Sequence, residues 1–202
     1  MATALGKVNS ATNIHDITST VGAISNFRAK GTAGGVSDFP YYTSPCVNAG
    51  LGTIAAVVDT IYAMPFLVGE TITADRIAID VNGIGTATAA RLGIYNNGNR
   101  IPTTLLLDAG TVDVTLSGFK EITISQALTG GKLYWLVFLQ NGTSTIDAVG
   151  QPDQISILGI NSVLGKLSNY TGAQAYGALP GSFPAVTANA GNMPTMFLRF
   201  AS

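Results

Sequence analysis

Ionisable chemistry is scarce in this chain, and each shortage removes a class of function. A single cysteine, Cys46, excludes an intrachain disulfide and a cysteine zinc cluster. A single histidine, His15, leaves no second imidazole for a metal site or proton relay. A Ser-His-Asp triad would have to draw on His15, which lies in an N-terminal segment without core character. Glu70 and Glu121 are the only glutamates, so the paired carboxyls of glycoside hydrolysis are poorly supplied. Glu121 stands beside Lys120 on an alternating stretch and reads as a solvated or ion-paired position. Charged residues make up 10% of the chain, against about 25% in ordinary soluble proteins. Lys and Arg number 10 and Asp and Glu 11, for a net charge of −1. A chain without a basic surplus cannot neutralise a run of phosphates or bind a membrane as a polybasic surface. No apolar run approaches the roughly 18–20 residues of a membrane span, although mean hydropathy is +0.36. The first residues show no charged segment followed by an apolar one, so no secretory signal is expected. Gly83-Ile84-Gly85 lacks a third glycine, and Gly165-Lys166-Leu167 lacks the final hydroxyl of a phosphate loop. The expectation is a non-enzymatic protein with no cofactor, no metal, no nucleic-acid partner and no membrane span.

What is present points elsewhere. Hydrophobic residues make up 47% of the 202 residues, and glycines number 24. Thr, Ser and Asn are abundant, so the surface is polar but uncharged. Such a surface gives little colloidal repulsion and suits a protein packed against copies of itself or a larger assembly.

Residues 1–50 differ from the rest. Large aliphatics are sparse, Gly31, Gly34 and Gly35 punctuate the stretch, and Pro40 and Pro45 bracket Tyr41 and Tyr42. Ile14, Ile17, Val21 and Ile24 have helix-compatible spacing, but the Thr and Ser between them weaken that reading. The segment reads as an extended docking arm, with Ile14, Ile17, Val21, Ile24, Phe27, Tyr41 and Tyr42 as its candidate contacts.

Residues 51–202 read as one all-β domain. Pro65 within 61–68 suggests an edge strand or a bulge. Ile77, Ile79 and Val81 alternate with Ala78 and Asp80, and Asn82-Gly83 follows as a turn signal. Leu92 and Ile94 share a face, and Asn96-Asn97-Gly98-Asn99 reads as a loop. Asp108-Ala109-Gly110 reads as a hairpin turn between 105–107 and 111–114. Ile122 and Ile124 point inward, and Thr129-Gly130-Gly131 turns the chain into 132–139. Further runs cover 155–160, 173–178 and 195–200. About nine strands separated by turns, with no long helical period, predict a jelly-roll-like β-sandwich of two four-stranded sheets.

One run is apolar on both faces. Leu133, Trp135, Val137 and Leu139 line one side, and Tyr134, Leu136 and Phe138 the other. A sandwich strand normally has one solvent face. Tyr134, Leu136 and Phe138 are therefore a candidate subunit interface, covered by the arm or a second subunit; the alternative is a later loop folding back over them. Trp135 reads as a core residue. Tyr41, Tyr42, Tyr170 and Tyr176 suit either a sugar-stacking platform or a protein interface.

The segments 73–81, 90–95, 105–112, 120–124 and 131–136, with the ending 192–199, occur in an order that resembles a β-sandwich module of virion structural proteins of tailed bacteriophages. The likeness covers about residues 60–200. It implies a particle-surface component and supplies no catalytic residues. The expected function is capsid decoration or cement: a self-associating protein, expected as a homotrimer, whose arm docks on a virion protein such as the major capsid protein. The alternative is a tail or fibre module recognising host surface glycan.

Overall fold

A computed structural model describes residues 42–43, 52–69, 71–150, 160–161, 165–166, 169–189 and 191–200. Every regular element among them is a strand. In chain order these are β1 (Tyr42–Thr43), β2 (Gly52–Ala55), β3 (Thr60–Leu67), β4 (Ile72–Gly83), β5 (Ala89–Gly98), β6 (Ile101–Asp113), β7 (Gly118–Leu128) and β8 (Leu133–Gln140). They continue as β9 (Thr145–Val149), β10 (Ile160–Asn161), β11 (Gly165–Lys166), β12 (Asn169–Ala173), β13 (Thr187–Asn189), β14 (Met193–Pro194) and β15 (Met196–Phe200).

Two antiparallel sheets make a sandwich. The six-stranded sheet has the order β13-β12-β3-β8-β5-β6. The seven-stranded sheet runs β1-β15-β4-β9-β14, with β7 on the other edge of β4 and β2 on β9. Short strands at the sheet margins enlarge both sheets beyond the expected four strands each. The small pair β10-β11 stands apart. Most connections cross from one sheet to the other, so each long strand contributes one face to a shared core.

That core follows from alternation. Ile77, Ile79 and Val81 of β4 meet Leu92 and Ile94 of β5 and Leu136 and Phe138 of β8. Ile122 and Ile124 of β7 pack against its margin. Each large apolar side chain so buried contributes about 1.5–3 kcal/mol relative to exposure.

Several turn readings resolve differently. Asp108-Ala109-Gly110 makes no hairpin: β6 runs through it, and Leu92 and Gly93 of β5 face Gly110 and Asp108 across a register shift. Ala109 is the extra residue of a bulge, and Gly110 takes a φ of 93° that its lack of a Cβ permits. The true hairpin lies at Asn99–Arg100, both with positive φ (55° and 68°), between the paired Gly98 and Ile101. Such a two-residue turn matches the twist of its strands. Asn82-Gly83 ends β4 rather than forming a separate turn. Pro65 lies inside the sheet opposite Trp135 of β8. The ladder from β12 ends at Ala63, so among the described residues no strand pairs with β3 on that side at Pro65. Of the run expected at 155–160, only Ile160 falls among the described residues; the run at 173–178 leaves its strand after Ala173.

Candidate functional site

Tyr134, Leu136 and Phe138 form part of the inter-sheet core, at 6%, 0% and 0% exposure. This corrects the expectation of a subunit interface. The opposing sheet of the same chain covers these side chains, so no second subunit is needed to shelter them. The extra apolar face is the other one. Trp135, Val137 and Leu139 join Ile61, Ala63 and Tyr95 in a second cluster on the outer side of the six-stranded sheet.

A strap of the chain's own residues, 174–184, closes that cluster. Leu179 is its anchor, 5% exposed, seated over Gly93. Phe183 meets the Tyr95 ring edge-on at 5.3 Å, and Tyr170 of β12 lies 5.3 Å from Trp135. Polar bonds fix the strap along its length. Asp59, in a left-handed conformation with φ 55°, accepts the Gln174 N–H at its carbonyl (2.9 Å) and the Tyr176 N–H at Oδ1 (3.1 Å). The Tyr95 hydroxyl donates to the Pro180 carbonyl at 2.6 Å. Leu105 donates to the Gly181 carbonyl (2.9 Å), and Phe183 donates to the Thr103 carbonyl (2.7 Å). Trp135 Nε1 donates to Asn97 Oδ1 at 3.1 Å. Tyr170 and Tyr176 are thus half-buried against this cluster. Neither forms an open stacking platform.

The bulge at Asp108 supplies the strap's electrostatic clamp. Arg91 Nε and Nη2 donate to Asp108 Oδ1 and Oδ2, each at 2.8 Å. Asp108 also accepts the N–H of Gly110 (3.1 Å) and of Leu179 (3.1 Å). Burial alone would raise the Asp108 carboxyl, but the Arg91 hydrogen bonds and the two backbone donors outweigh it and hold it below the usual range. Asp108 hydrogen bonding raises Arg91 in turn. Burial, and then the Asp108 charge, push the Tyr95 hydroxyl upward.

The outer face of the seven-stranded sheet differs in kind. Arg199 makes a bidentate pair with Asp75 at 2.8 Å, and Arg76 pairs with Glu121 at 3.3 Å. Phe119 of β7 and Phe197 of β15 approach to 5.6 Å, with Phe119 43% exposed. On this sheet β1 adds to β15, with Tyr42 opposite Arg199 and Thr43 opposite Leu198. Part of the segment assigned to the arm therefore continues the sheet. Ile14, Ile17, Val21, Ile24, Phe27 and Tyr41, with His15, lie outside the described residues.

Of three depressed carboxylates, Asp75, Asp108 and Asp113, the first two are held low by ion pairs and make stability acid-sensitive. The Arg199 hydrogen bonds hold Asp75 low, against burial. Asp75 and Asp108 bind their protons less tightly folded than unfolded, so folding releases protons. Their stabilisation is complete above the unfolded carboxyl value of about 4 and is lost as pH falls through the lower folded values. Melting temperature therefore drops below about pH 4. Asp108→Asn costs about 1–3 kcal/mol near neutral pH and flattens that acid limb. Thermal melts across pH 2–7 check both, and a variant with an unchanged acid limb removes Asp108 from the account.

No protein-family model and no curated protein matches this chain.

Proposed function

We propose that this chain is a non-enzymatic structural protein of a bacteriophage virion, acting as a capsid decoration or cement protein. It self-associates as a homotrimer and docks on a partner such as the major capsid protein through its N-terminal segment. The pairing of β1 with β15 carries this reading, because it ties the end of that segment to the sandwich by backbone hydrogen bonds. Docking contacts made further upstream would then pull directly on a folded sheet. The low charge and the order of motifs that resembles phage modules support the same reading. The glycan-binding alternative is weakened by the packing of Tyr170 and Tyr176 against the strapped cluster.

Deletion of residues 1–40 tests it, since the cut leaves β1 in place. The truncated chain is expected to melt as a cooperative unit, since β1 and the sheet it joins are retained. It is also expected to lose binding to capsids stripped of this protein. Undiminished occupancy overturns docking through this segment. A solution mass of one 20.7 kDa chain at all concentrations overturns self-association.

A further inference from the structure

The strands of the seven-stranded sheet meet at one unusual junction. Val81 of β4 faces Ile146 of β9, and both are buried in the core. Asp80 precedes Val81 and Asp147 follows Ile146, so the two acids flank the end of the β4–β9 ladder on the outer face, near enough for the charge of Asp147 to act on Asp80. Both are half-buried. Like charges close together on neighbouring strands oppose pairing. The ion pairs among the described residues use Glu121, Asp108 and Asp75, so no cationic side chain there offsets Asp80 and Asp147. Burial, and then the charge of Asp147, raise the Asp80 carboxyl.

A second observation falls at the same place. Thr195 separates β14, which pairs with β9, from β15, which pairs with β4. Its N–H donates to the Asp147 carbonyl at 2.8 Å. Pro194 faces Ala148 and Met196 faces Ile79, which brings Thr195 beside both Asp147 and Asp80. Met196 and Leu198 belong to the core, so alternation places the Thr195 side chain on the outer face with the acids. Thr195 is 0% exposed, yet its hydroxyl has no hydrogen-bond partner. Buried hydroxyls are nearly always partnered, so this one marks a missing neighbour. Asn82, two residues along from Asp80, donates its amide to Asp147 Oδ1 at 3.2 Å and keeps an oxygen for another ligand. Thr53 of β2 faces Asp147 from the other side.

We propose that this junction is a calcium-class divalent-cation site, with the Asp80 and Asp147 carboxylates as charged ligands and oxygens of Thr195, Asn82 and Thr53 as neutral ones. All these donors are hard oxygens. They suit an ion that takes 6–8 oxygens with flexible geometry, and water completes the shell. Nitrogen and sulfur donors, which favour zinc and copper, are absent from the set. No group of three acidic, histidine or cysteine side chains that could hold a metal occurs among the described residues. Two carboxylates therefore carry the charge, and the expected dissociation constant is on the order of 0.1–1 mM. The bound ion converts cross-strand repulsion into a bridge between β4 and β9.

Thermal melts of the full chain test this in 10 mM calcium chloride, 10 mM magnesium chloride and EDTA, at matched ionic strength. Calcium is expected to raise the melting temperature by about 3–8 °C, with magnesium much less effective. Asp80→Asn is expected to abolish the calcium response while melting no lower than the wild type in EDTA, because it removes a repulsion. Thr195→Val, close in volume, is expected to weaken the response at least threefold in calcium concentration, and calorimetric titration of the wild type with calcium reads the same site directly. A wild-type chain indifferent to calcium overturns the proposal. So does an Asp80→Asn variant that responds as the wild type does.

Discussion

Phe138→Ala is expected to destabilise the chain by about 3–5 kcal/mol, a loss that is the same at every protein concentration. Phe138 is fully buried, faces Tyr62 and Leu92 on its neighbouring strands, and has its ring 6.2 Å from that of Tyr62. Truncation removes the ring's transfer free energy and leaves a cavity between two sheets held apart by other side chains. The concentration test separates a core from an interface. An interface residue would affect stability only where subunits associate, and its effect would fade on dilution. Urea melts at two concentrations a hundredfold apart provide the measurement. A loss under about 1 kcal/mol, or a loss relative to the wild type that fades on dilution, would return Phe138 to a subunit interface.

The second large effect is expected at Gly93. A Cβ built there meets Leu179 Cδ1, the backbone oxygen of Leu107 at 2.5 Å and Val137 Cγ2 at 3.4 Å. The leucine tip can swing away; the carbonyl is held in the β5-β6 ladder and cannot. Gly93→Val therefore expels the strap's anchor and strains the sheet as well. Overpacking of this kind costs about 1–3 kcal/mol or more. Losing the Leu179 seat and its N–H bond to Asp108 adds to it. Hydrogen exchange should show faster exchange at the Leu179 and Phe183 amides, while β4 amides keep their protection. Gly181→Ala is the control, because a Cβ there meets nothing within 4 Å and its effect should stay within about 0.5 kcal/mol. Equal stability of Gly93→Val and wild type would show that the strap is not seated on this glycine.

Much of the sandwich was legible because alternation is a local property. The inward sets of β4, β5 and β7 follow directly from residue type. The apolar second face of β8 was legible too, as something that must be covered. Which face looks into the sandwich was not, since Tyr134-Leu136-Phe138 and Trp135-Val137-Leu139 are about equally apolar. Asp108-Ala109-Gly110 fails for a similar reason. An aspartate oxygen that accepts the N–H two residues on, followed by a glycine with positive φ, serves a turn and a bulge alike. Only the pairing of Leu92 and Gly93 with Gly110 and Asp108 chooses between them. The junction of Asp80, Asp147 and Thr195 carried no local signal, because its members come from β4, β9 and the step between β14 and β15, far apart in sequence.

Composition and alternation alone determine that this is an all-β chain, poor in ionic chemistry, with a ribbon greasy on both sides. Those properties are sums over single residues and near neighbours. Tertiary structure decided what covers the ribbon, why Gly93 is a glycine and where two acids are forced together. Each of these depends on which distant strand lies alongside, and pairing energy is spread over whole strands rather than written at any one position.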